Sequence, residues 1–150
     1  MRGAATALLL AALVSGCAAP QVAGLLERPP RDLPPSAEIA TTPFYAQEDY
    51  QCGPASLAAL LNHAGRDATP ASLAPQVYLP ARQGSLQAEL LAATRRHGLL
   101  AYVLEPRLEA LLREIAAGAP VLVLQNLALD WAPQWHYAVA IGYDLSLIHI

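Results

Sequence analysis

The chain reads as an α+β domain on three observations. Segments of helical spacing come early, continuous apolar runs of strand length gather late, and glycine or proline marks most boundaries between them. Helices followed by strands suit an α+β arrangement better than a doubly wound sheet, in which the two alternate along the chain.

Taken in order, Gly53 to His63 forms the first helix, with Leu57, Leu60 and Leu61 on one face and Gly65 at a left-handed cap. Thr69 and Pro70 make an N-cap and first-position pair for a second helix, which Pro75 keeps short. Ser85 to His97 gives a third helix, with Leu86, Leu90 and Leu91 as core and Gly98 as its stop. Leu99 to Leu104 reads as a strand, and Leu108 to Ala117 as a helix ended by Gly118 and Pro120. Val121 to Gln125 and His136 to Tyr143 are apolar runs of strand length.

The two ends read differently from the domain at residues 41–144. Residues 1–17 have the form of an export signal: Arg2, a short apolar stretch from Ala4 to Leu13, then Leu13-Val14-Ser15-Gly16-Cys17. The stretch is shorter than the roughly 18 apolar residues of a membrane span. The closing pentad resembles a bacterial lipobox, which implies acylation of Cys17 and tethering to a membrane face; ordinary signal cleavage near Ala18 and Ala19 is the alternative. The resemblance implies a location in the bacterial cell envelope, on the periplasmic face of the outer membrane. Residues 18–40 carry Pro20, Pro29, Pro30, Pro34 and Pro35 and read as an extended tether. Residues 145–150 follow Asp144, where a hairpin turn is due, and look like translated sequencing adapter. The chain is accordingly expected to be truncated at its C-terminus, with an unfinished sheet edge beside Trp135 to Tyr143.

Charge and composition exclude some functions. All nine basic side chains are arginines and the formal net charge is −3, with no basic patch of the kind that binds nucleic acid. The four histidines lack ligand spacing, so neither a metal nor another cofactor is expected. His63 and His97 sit at helix ends, where the dipole accounts for them, and His149 lies in the doubtful tail. With Cys17 lipidated, Cys52 has no disulfide partner. It is then either a packed small hydrophobe or a reactive thiol. Cys52 stands where Gly53-Pro54 opens an apolar helix, and a helix N-terminus favours thiolate over thiol. His136 in Trp135-His136-Tyr137 is the imidazole available to pair with it.

Gln47, five positions before Cys52, then Gln51-Cys52-Gly53-Pro54 and later His136-Tyr137-Ala138-Val139-Ala140-Ile141-Gly142-Tyr143 resemble the papain-like cysteine peptidases, family 39, that process bacteriocin leaders after a double glycine. The likeness is greatest to their free-standing lipoprotein relatives. It implies a papain-like fold with N-terminal helices packed on a late antiparallel sheet, and hydrolysis of peptide bonds in a peptide or protein substrate. It further implies that Cys52 is the nucleophile, His136 the general acid/base, and Gln47 an oxyanion donor together with the backbone N–H of Cys52. The family's third residue, an aspartate or asparagine on the strand after the histidine, has no match here, since Asp144 lies at the expected turn.

Gln51 and Trp135 are candidate substrate-binding residues. The alternatives are a polar turn residue and, for Trp135 with Trp131 and Pro133, an aromatic cover on a sheet end. Two functions from different classes follow: a membrane-anchored thiol peptidase, or a papain-like binding or scaffolding lipoprotein without turnover. Acyl transfer from the same thioester to an amine is a third outcome.

Overall fold

The structure is a computed structural model and describes residues 20–46 and 50–147. The chain divides into two compact units, residues 1–31 and 32–150. In the described part of the first, α1 spans Pro20–Glu27. Here the expected extended tether is corrected: Pro20 stands at the helix start, where proline is tolerated, and no proline interrupts the next seven residues.

The second unit is α+β, as the order of elements predicts. It begins with β1 (Ser36–Glu38), which also lies in the stretch expected to be a tether. Four helices follow, α2 (Cys52–His63), α3 (Pro70–Val77), α4 (Gln87–Arg96) and α5 (Leu108–Ala116). A 3-10 turn at Pro80–Arg82 links α3 to α4. The strands β2 (Val121–Asn126), β3 (Trp135–Ala140) and β4 (Gly142–Asp144) come late, and a 3-10 turn follows at Leu145–Leu147.

Local chemistry sets the helix bounds. Thr69 caps α3 in a reciprocal box with Ser72: Ser72 N donates to Thr69 Oγ1 at 3.1 Å and Thr69 N to Ser72 Oγ at 3.0 Å. Gly65 and Gly98 follow α2 and α4 with φ of 73° and 74°, the left-handed geometry that lets a chain turn away from a helix end.

The core lies where α2, α3 and α4 meet the sheet. Leu57, Ala58, Leu61, Leu73, Val77, Leu90, Ala93 and Tyr137 form one buried cluster, with Tyr45, Cys52, Leu99 and Leu122 packed against it. Leu86, expected in the core, is instead the N-cap of α4 and 41 % exposed.

The sheet differs from expectation in two places. Leu99 to Leu104 is not a strand; among the described residues no strand pairs with it, and Leu100, Tyr102 and Val103 are exposed. The run at 136–143 is two strands, because its partner changes. β3 pairs antiparallel with β2, while β4 pairs antiparallel with β1, Ser36 opposite Asp144. The Ile39 N–H donates to the Ile141 carbonyl at 2.7 Å where the partners exchange. β1 pairs with one edge of β4, and among the described residues β3 has β2 as its strand partner.

Candidate functional site

Cys52 is the first residue of α2, with Gln51 at the N-cap position. It is a free, half-buried thiol packed on the core cluster. Helix geometry leaves the first N–H groups without intrahelical partners, so the thiol shares its turn with unsatisfied donors and the positive end of the helix dipole. Tyr50, just upstream, is held at φ 63°, an uncommon conformation for a bulky residue that turns the chain sharply into the helix.

Gly53 explains how the turn is packed. A side chain there would bring its Cβ to 2.5 Å from Ser85 Cβ, so only glycine lets the segment before α4 lie against the first turn of α2. The Ser85 hydroxyl is buried at this contact and has no hydrogen-bond partner among the described residues.

His136 is the second residue of β3 and half-buried. β3 is fixed to α2 next to it: the buried Ser56 hydroxyl, one turn beyond Cys52, donates to the Tyr137 carbonyl at 3.3 Å. The Tyr137 phenol lies in the core, and its pKa is raised above 10.0, first by burial and then by the charge of the Cys52 thiolate. The structure thus brings the start of α2 and the start of β3 together. It does not join the two reactive groups, since no hydrogen bond connects Cys52 Sγ with the His136 ring. Successive side chains of a strand leave on opposite faces, and here Tyr137 is the one set into the core beside α2.

The other sequence candidates are distributed as follows. Gln47 and Cys17 lie outside the described residues. Trp135 opens β3 and is 61 % exposed, and Trp131 in the preceding loop is 83 % exposed. Asp144 ends β4, where its Oδ1 accepts from Ser146 N at 2.8 Å and Ser146 Oγ at 2.6 Å; these bonds lower its pKa and occupy it locally. Among the described residues no cluster of histidine, cysteine and acidic side chains is placed to hold a metal ion.

Three structural contributors escaped the sequence reading. Ser56 follows Cys52 by four residues on one helix face, a spacing that could have identified it. Tyr137 hides in the apolar run beside the histidine. Asn126 ends β2 and braces the loop to β3, its Oδ1 accepting from Ala128 N at 3.1 Å and Gln134 N at 2.9 Å. An Asx turn of this kind is legible only once the loop ends are known.

The thiol at the start of α2 and the histidine of β3 thus lie on adjacent elements joined one helical turn beyond Cys52. The model of the Peptidase_C39 like family matches residues 39–149. The chain belongs to that family. Membership covers both α2 with Cys52 and β3 with His136, and it agrees with the α+β fold and with a function of the cysteine-peptidase type. No curated protein and no solved structure gives a significant match.

Proposed function

We propose that the protein is a cysteine peptidase that cleaves peptide bonds through an acyl-thioester on Cys52. In this reading His136 takes the thiol proton and later delivers it to the leaving amine. Gln47 and the Cys52 N–H donate to the tetrahedral oxyanion. One oxyanion donor contributes on the order of 3 kcal/mol in the transition state. The observation that carries the reading is the Ser56 to Tyr137 hydrogen bond, which holds the helix turn bearing the thiol against the strand bearing the imidazole. Because Tyr137 rather than His136 is set into the core beside α2, the reading requires the His136 ring to turn toward Sγ when substrate binds.

The substrate is a peptide or protein reached from a membrane face, with Cys17 as the lipid attachment point and Gln51 and Trp135 lining the cleft. The corresponding location is the periplasmic face of the outer membrane. Nucleic acid has no part in it. Double-glycine specificity is not included, since it belongs to the exporter-linked relatives. Incubation with a complex peptide library and mass-spectrometric readout tests the reaction: new termini should appear with the wild type and vanish with Cys52→Ala and with His136→Ala. Cleavage that survives Cys52→Ala refutes the proposal. For the anchor, a mass shift of acyl chains on Cys17 is expected, and its absence in envelope-derived protein refutes that part.

A second reading, a binding lipoprotein without turnover, is favoured by one observation, the engagement of the Asp144 carboxylate by Ser146. Unchanged peptides together with specific peptide retention would support it.

A further inference from the structure

We propose that Gln125 is the positioning residue for His136, its side-chain carbonyl accepting the Nδ1–H of the imidazole. The inference rests on the peptidase reading above and assigns it a residue on the strand before the histidine. Gln125 lies directly opposite His136 in the β2–β3 ladder. Directly opposed residues of an antiparallel pair share a face, with Cβ atoms about 5 Å apart, within reach of a glutamine amide turned toward a ring. The register cannot slip easily here. The adjacent residue, Asn126, clamps the loop at both ends, and Leu127 N donates to the Gln134 carbonyl at 2.9 Å.

Both partners are available. Neither the exposed Gln125 amide nor the His136 ring is hydrogen-bonded to a described side chain, each other included, so the bond forms by rotation of the two side chains on their shared face. Their strand neighbours on the shared face, Val123 and Ala138, pair with each other and offer no side-chain acceptor. The Asp144 carboxylate is occupied by Ser146. An amide carbonyl on Nδ1–H fixes the tautomer in which Nε2 carries the lone pair, the form that can take a proton from a thiol. A glutamine does this without adding charge.

Nitrogen-15 NMR of the His136 ring in the neutral protein reads the tautomer directly. Wild type and Gln125→Glu, which keep an acceptor of the same length, should show the Nδ1–H form; Gln125→Met should move the ring toward the Nε2–H form preferred in water. Gln134→Met is the control and should change nothing. Chloroacetamide labelling of Cys52 should slow by about tenfold or more in Gln125→Met, with melting temperature unchanged, and recover in Gln125→Glu. An unchanged tautomer in Gln125→Met, or the same change in Gln134→Met, overturns the assignment while leaving the peptidase reading intact. If His136→Ala leaves Cys52 labelling at its wild-type rate, the peptidase reading and this inference fall together.

Discussion

Replacing Gly53 with alanine puts one methyl group into the tightest contact beside Cys52. Its Cβ would stand 2.5 Å from Ser85 Cβ, about 1 Å inside the normal separation of two carbons. Forced overlap in a packed site costs about 1–3 kcal/mol, and alanine returns up to about 1 kcal/mol in helix propensity. Gly53→Ala is therefore expected to destabilise by about 1–2 kcal/mol, a fall in melting temperature of roughly 4–8 °C for a domain of this size. Ser85→Ala alone removes a buried hydroxyl that lacks a partner among the described residues, so it should be neutral or stabilising by up to about 1 kcal/mol. It should not rescue Gly53→Ala, because its own Cβ remains. Ser85→Gly clears the space, and a thermal-melt double-mutant cycle between Gly53→Ala and Ser85→Gly should give a coupling of about 1–2 kcal/mol. A Gly53→Ala protein that melts at or above the wild-type temperature, or a coupling near zero, would show that the close approach of the α4 segment is not what requires glycine there.

Three further outcomes follow from the same contacts. Ser56→Ala should cost about 1 kcal/mol in denaturant unfolding and also slow Cys52 labelling, since the bond it removes ties α2 to β3. Tyr137 has its folded pKa raised above the unfolded value of 10.0, so the stability it contributes is fully present below pH 10 and is lost as pH rises through the folded value. Tyr137→Phe should flatten the decline in unfolding free energy above pH 10. Asn126→Ala should cost about 1 kcal/mol and speed hydrogen exchange at the Ala128 and Gln134 amides, whereas Asn126→Asp, which keeps the acceptor, should preserve both.

What the sequence made legible was what local chemistry decides. Thr69-Pro70, Gly65 and Gly98 mark helix ends by backbone preferences that need no tertiary partner, and the structure places those ends where they were expected. The Cys52-Gly53-Pro54 run at a helix start was legible for the same reason. Pairing was not. Leu99 to Leu104 has the composition of a strand, yet a strand exists only with a partner, and none pairs with it among the described residues. Likewise, the single run at 136–143 conceals the exchange of β2 for β1 at Ile141, because β1 comes from a proline-rich stretch with no strand signature. The helix at Pro20–Glu27 is hidden by the proline content of its surroundings, since the first helical position tolerates a proline. In the site, the residues with reactive side chains stood out. Those that hold them act through backbone groups, Ser56 on the distant Tyr137 carbonyl and Asn126 across its own loop, and become visible only in the fold.

The central claim is that Cys52 and His136 act as one unit, and the second-order rate of Cys52 modification by a neutral haloacetamide at pH 6 tests it most directly. The wild type should react faster than a free cysteine peptide, and His136→Ala should bring the rate down to that of the peptide. Equal rates for wild type, His136→Ala and peptide would contradict the claim and leave Cys52 as a packed thiol.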